Sequence, residues 1–164
     1  MHAKPVIVAL ATSAMLGSSA WAQTPASSEG IGGIYAGSYQ CENGEHGVVL
    51  DLKVDERPQG RGLKIAGRLG FFPVLGGREG EFAHVAGSFS ILGLIAENGR
   101  ITFQHREWLL EPDGYGAANF NGRINQRDDG LWQITGKPLA GPNSDFCSDL
   151  IATQFLPRAD PEGQ

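Results

Sequence analysis

Cys41 and Cys147 are the only cysteines of the chain, and two separated thiols allow two chemistries: a disulfide, or a reactive thiolate beside a base or a cation. Neither belongs to a Cys-x-x-Cys pair, so a structural bond is the reading carried forward. His46, His84 and His105 could bring three imidazoles onto zinc or copper. Their spacing matches no metal motif, scattered surface positions explain them, and neither a metal nor another cofactor is expected. Carboxylates gather as Glu79 with Glu81, and as Glu107 and Glu111 with Asp113. A small glycan-directed hydrolase would need two of them across a cleft at about 5 to 9.5 Å; solvated loop charges are the simpler account. His105 and Glu107, two positions apart, are expected on one strand face as an exposed salt-linked edge. No G-x-S-x-G, H-E-x-x-H, phosphate loop or dinucleotide fingerprint occurs. Gly30 to Gly37 is glycine-rich but is not expected to follow a strand or open a helix, so no catalytic residue is assigned.

Rings supply the remaining chemistry. Tyr35, Tyr39, Trp108, Tyr115 and Trp132 are amphipathic side chains of the kind that provide rigid contact area at ligand and partner surfaces. With Phe71 and Phe72, from the apolar run Phe71 to Leu75, they form the candidate binding surface. Packing in the interior or at the rim of a barrel is the competing role, above all for the two tryptophans.

The amino-terminal segment sets the compartment in which these groups would work. Lys4 precedes the apolar stretch Val6 to Leu16, and Ala20-Trp21-Ala22 before Gln23 has the small-x-small form that a signal peptidase cuts. Residues 1–22 therefore read as a signal peptide of bacterial type. Both cysteines lie beyond it, and a periplasmic or secreted location would pair them. The apolar stretch is shorter than the roughly 20 residues that span a bilayer, so a soluble product without a membrane span is expected. The formal net charge is −5, and removing Lys4 with the leader makes the remainder one unit more acidic. That balance disfavours nucleic acid and anionic lipid as partners.

Removing 22 of 164 residues leaves 142, the size of one domain. Twenty-four glycines against two methionines suit turns and bent strands better than a helical bundle. Residues 23–33 read as a polar lead-in with little to bury, 34–157 as the folded domain and 158–164 as a polar tail. Within the domain Val48, Leu50, Leu52 and Val54 alternate with residues turned to water, the period of a half-buried strand. Leu63 to Phe72 repeats that pattern after the turn residues Asp55 to Gly62. Ser88 to Ile95 meets Asn98-Gly99, expected as a two-residue hairpin turn with both residues at positive φ; Ile101 and Phe103 return from it. Turns at Pro112 to Gly114 and Arg127 to Gly130 frame strands carrying Ala118, Phe120, Gly122 and Ile124, then Trp132 and Ile134. Phe146 to Leu156, including Cys147, is the last strand.

About eight antiparallel strands with no capped helical stretch predict an all-β fold, a single small barrel or a sandwich. A barrel is preferred because Gly67, Gly93 and Gly122, in phase with inward residues, let strands bend enough to close. A Cys41–Cys147 bond would tie its first and last strand regions together.

Tyr35-x-Gly37-x-Tyr39-x-Cys41-x-x-Gly44 and Trp108-x-x-x-Pro112-x-Gly114-Tyr115, with Gly87-Ser88-Phe89 between them, resemble an uncharacterised exported bacterial β-module. That resemblance implies a recurrent scaffold rather than a reaction. The Tyr39-Gln40-Cys41 segment is also similar to the opening of the exported barrel inhibitors of lysozyme, which implies a loop inserted into an enzyme cleft; Gly77 to Glu81 is the available loop. The leading expectation is a non-enzymatic binding module for a protein or an envelope component. An inhibitor of a cell-wall hydrolase, an accessory subunit of a larger extracytoplasmic enzyme and the hydrolase above are the alternatives.

Overall fold

The computed structural model describes residues 30–41, 44–55, 62–74, 85–116, 118–140 and 147–158. The leader, residues 23–29, the turn residues 56–61, the connection 75–84 with Glu79, Glu81 and His84, Phe146 and the tail beyond 158 lie outside them.

Eight strands follow one another as β1 (Gly33–Cys41), β2 (Gly44–Asp55), β3 (Gly62–Pro73), β4 (Gly87–Ala96), β5 (Arg100–Leu110), β6 (Ala118–Gln126), β7 (Trp132–Ala140) and β8 (Leu150–Pro157). Each pairs antiparallel with the next, and β8 returns to β1, closing the barrel. Closure gives every strand two neighbours, so no strand lies at the edge of the sheet along its whole length. Alternation places the interior: on β2, Val48, Leu50 and Leu52 are buried while Val49 between them and Lys53 after them are exposed. Ile65, Leu69, Phe71, Phe89, Ile91, Ile101, Phe103, Phe120, Ile124 and Ile134 continue the same core.

Inward glycines stand where neighbouring backbones come closest. A Cβ on Gly67, Gly93 or Gly122 would lie 2.1, 2.0 or 2.2 Å from the carbonyl oxygens of Asp51, Thr102 and Thr135. No side chain fits at those separations, so glycine is what lets these strands curve into a small cylinder.

Three local expectations change. The β4–β5 turn uses three residues, Glu97 to Gly99, with Gly99 N–H donating to Ala96 O at 2.9 Å; Gly99 alone has positive φ, at 76°, and Asn98 instead accepts from Arg100 N–H through its side chain. Cys147 precedes β8 rather than belonging to it, and meets Cys41 as an isolated bridge. The lead-in is not idle at its end: Ile31 is 1 % exposed within the core, and Gly30 and Gly32 offer carbonyls to Gln154.

The Cys41–Cys147 disulfide is formed. Such a bond fits an oxidising, extracytoplasmic setting. Among the described residues, no helix is long and apolar enough to cross a membrane.

Candidate functional site

The two ends of the barrel differ. At the end where β1 begins, the chain closes its own interior. Tyr35 is completely buried and its hydroxyl donates to Ile31 O. Gln154, 2 % exposed, donates to Gly30 O at 2.6 Å and Gly32 O at 3.0 Å, and accepts from Trp132 N–H at 3.4 Å. Trp132 is 6 % exposed there. Ile31 thus works as a stopper, held by Tyr35 at its own carbonyl and by Gln154 at those of Gly30 and Gly32. Burial raises the Tyr35 phenol far above its ordinary range.

The opposite end holds a cavity of about 110 Å³ lined mainly by rings: Tyr39, His46, Phe71, Trp108 and Tyr115, with Phe89 and Phe120 deeper. Cys41 and Cys147 form part of the same wall. Tyr39 stacks on His46 with centroids 5.3 Å apart, and Phe71 stacks on Tyr115 at 5.2 Å. Trp108 meets Phe89 and Phe71 edge-on at 5.3 and 6.4 Å. Ladder pairing thins around this end. β5 and β6 pair only over Arg100–Phe103 and Phe120–Arg123, after which the Asn119 side chain accepts from His105 N–H at 3.3 Å. β7 and β8 pair only over Gln133–Gly136 and Leu150–Thr153.

Trp108 reaches the cavity because β5 breaks its period. Ile91 faces His105 while Ser90 faces Glu107, leaving Arg106 as an extra residue on β5. The bulge reverses the inward phase, so Trp108 turns in and Glu107 turns out. His105 and Glu107 therefore do not share a face: His105 lies between Phe89 and Trp108, at 5.1 and 4.9 Å, and Glu107 is exposed. Glu111 is exposed as well, and neither carboxylate lines the cavity.

His46 is the residue sequence reasoning missed. Expected on the surface, it is 0 % exposed and forms part of the cavity wall. Its phase was legible, since it continues the inward series Val48, Leu50, Leu52 by one step. Its Nε2 is 3.3 Å from the Tyr115 hydroxyl, whereas Nδ1 is buried with no hydrogen-bond partner among the described residues. Burial lowers its pKa, which favours the neutral ring. Burial, with Tyr115 beside it, raises the Tyr39 phenol. Among the described residues, none of those lining the cavity is Asp, Glu, Lys or Arg.

Of the expected binding surface, the structure gathers Tyr39, Phe71, Trp108 and Tyr115 around one cavity. Tyr35 and Trp132 sit at the stoppered end instead, because their phase turns them into the core, and Phe72 is on the outer wall, 43 % exposed. His46 and His105 share no metal site: no group of three His, Cys, Asp or Glu side chains able to hold a metal ion occurs among the described residues.

Fold and site together define an eight-stranded barrel with one end stoppered by its own chain and the other hollowed into an aromatic cup. No protein family, curated protein or solved structure matches this chain.

Proposed function

We propose that the chain is an exported, soluble, non-enzymatic binding module of the periplasm or the secreted space, and that it engages a protein or envelope component through the aromatic cup. The inequality of the two ends carries this reading. An eight-stranded barrel has an interior just wide enough for side chains to fill or for one small ligand to occupy. Here, among the described residues, Ile31 fills one end, with Gln154 bonded to Gly30 and Gly32, and ring-lined space lies at the other. Concave apolar sites with a few polar groups are where proteins hold ligands. The leader and the disulfide support the compartment.

The test compares retention of components from an extracytoplasmic extract by the immobilised mature chain, by Tyr115→Ala in the cup and by Phe155→Ser on the outer wall, where Phe155 is 60 % exposed. A component kept by the wild type and by Phe155→Ser, lost by Tyr115→Ala, and rebound after purification is the expected result. Equal retention by all three chains, or none by any, would refute the cup as the binding site.

A further inference from the structure

We propose a second site on the outer wall of the barrel, apart from the cup: a trough rimmed by Lys53, Arg68 and Arg106 that binds one tetrahedral oxyanion, a phosphate or sulfate group carried on a soluble molecule.

Strand register builds the trough. On the outward face Arg68 of β3 stands between Asp51 of β2 and Ser90 of β4, and Lys53 stands opposite Ala66. Lys53 is thus a diagonal neighbour of Arg68, about 7 to 8 Å away between backbones. The bulge in β5 sets Arg106 and Glu107 together against Ser90. Arg106 lines the trough and Glu107 does not. Arg68 and Arg106 therefore lie two strand spacings apart, about 10 Å, with the short side chain of Ser90 between them. Ala66 and Ser90 make a low floor, so the longer arms stand around a hollow. Side chains as long as arginine and lysine bridge such gaps to one small anion between them.

Charge on the rim is unbalanced. Lys53, Arg68 and Arg106 are exposed, and among the described residues their side chains make no hydrogen bond or ion pair. Asp51, the one carboxylate on the rim, is held by Arg158 at 2.6 Å. Glu107 is exposed beside Arg106 and forms no ion pair with it. Three like charges over one floor repel one another, in a chain whose net charge is −5. An anion seated among them replaces that repulsion with attraction.

Donor geometry selects the anion. Each guanidinium offers a planar fork of N–H groups that matches phosphate or carboxylate, and the ammonium adds a point charge with three donors. A carboxylate brings two oxygens and a single charge, too few to engage two forks and an ammonium together. A phosphate ester brings three acceptor oxygens and close to two charges, and a sulfate ester brings the same three oxygens. The carrier follows from what surrounds the wall. Exposed acids stand at both ends of the barrel, Glu97, Asp128 and Asp129 at one and Glu111 and Asp113 at the other. A broad anionic surface covering the wall would meet them, whereas an isolated oxyanion on a soluble molecule would not.

The probes are inorganic phosphate, sulfate and acetate, titrated at neutral pH and low salt into the mature chain and read by proton–nitrogen NMR at the backbone amides of Arg68, Ser90 and Arg106. Saturable shifts are expected at about millimolar phosphate or sulfate, with acetate about tenfold weaker, the equilibrium weight of one charge-assisted hydrogen bond. Raising sodium chloride from about 0.02 to about 0.2 M should weaken binding, because the site is open to screening. Arg68→Gln and Arg106→Gln should each weaken phosphate about fivefold, the upper weight of one exposed ion pair, with melting temperatures unchanged or raised by the relieved repulsion. Arg123→Gln, which removes an exposed arginine on β6, should keep affinity within about twofold. Glucose 6-phosphate should bind at least as tightly as phosphate, and phosphatidylglycerol vesicles should not retain the chain. Absence of saturable shifts in the wild type, acetate as tight as phosphate, or an equal loss in Arg123→Gln would each overturn the site. Vesicle retention that depends on Arg68 would overturn the soluble carrier. None of these outcomes bears on the cup, whose own test is Tyr115→Ala.

Discussion

Replacing both cysteines, as Cys41→Ala with Cys147→Ala, should remove a large part of the molecule's stability and loosen the cup before it loosens the stoppered end. The bond closes a sequence separation of 106 residues. In the chain-entropy account a loop of about that length restricts the unfolded chain by about 4.7 kcal/mol, against a typical total of about 5 to 15 kcal/mol for a domain. Locally, the β1–β8 ladder ends at Ser38 opposite Ile151. Beyond it the seam is held by the disulfide and by Ser148, which accepts from Gln40 N–H at 2.8 Å and donates its own N–H to Gln40 O at 2.5 Å. Urea unfolding of the double variant, and of the wild type with and without reductant, should show a loss of about 3 to 5 kcal/mol with a higher m-value, because an uncrosslinked denatured chain exposes more surface. Hydrogen exchange at the Gln40 and Ser148 amides should accelerate beyond the change in global stability, while the Trp132 amide at the other end follows global unfolding alone. A loss below about 1 kcal/mol with an unchanged m-value, or uniform acceleration at both ends, would refute the reasoning.

Two further perturbations separate the ends of the barrel. Gln154→Leu keeps the volume but leaves Trp132 N–H and the Gly30 carbonyl without their bonds to Gln154 and removes one from Gly32 O. It should cost about 1 to 3 kcal/mol in urea titration and shift Trp132 emission to the red, with the Tyr115-dependent retention by the cup unchanged. For His46 the pKa of the folded protein lies below its ordinary value near 6.5, so the unfolded chain takes up its proton first as pH falls. Its contribution is therefore complete above about pH 6.5 and declines as pH drops toward the folded pKa, at no more than about 1.4 kcal/mol per pH unit. Comparing stability against pH for wild type and His46→Phe should show a shallower acid-side fall in the variant; parallel curves would contradict the buried neutral ring.

Much of the barrel is readable along the chain because a strand's alternation is local. Val48 to Val54, Leu63 to Phe72 and Ser88 to Ile95 each announce an inward face by residue type, and those faces meet in the core. Gly99, Gly114 and Gly130 sit at positive φ in the turns where glycine punctuates the sequence. With only two cysteines, pairing left a single partner for each. The site was less legible. Trp108 is inward because Arg106 is an extra residue opposite β4, and a bulge depends on the partner strand, which local alternation does not contain. Reading β5 by strict alternation puts Glu107 where the structure has Trp108.

By itself, then, the sequence determined an all-β chain with its strands, most turns and its one disulfide, because period, turn chemistry and cysteine count act over a few residues or by elimination. Tertiary structure decided that the sheet closes as a barrel and not a sandwich, since that rests on β8 finding β1 more than 100 residues away. It also decided which end is stoppered, which is hollow, and that His46 is buried in the wall of the hollow end. Those outcomes depend on contacts among strands from both halves of the chain, where burial and hydrogen bonding are settled jointly rather than residue by residue.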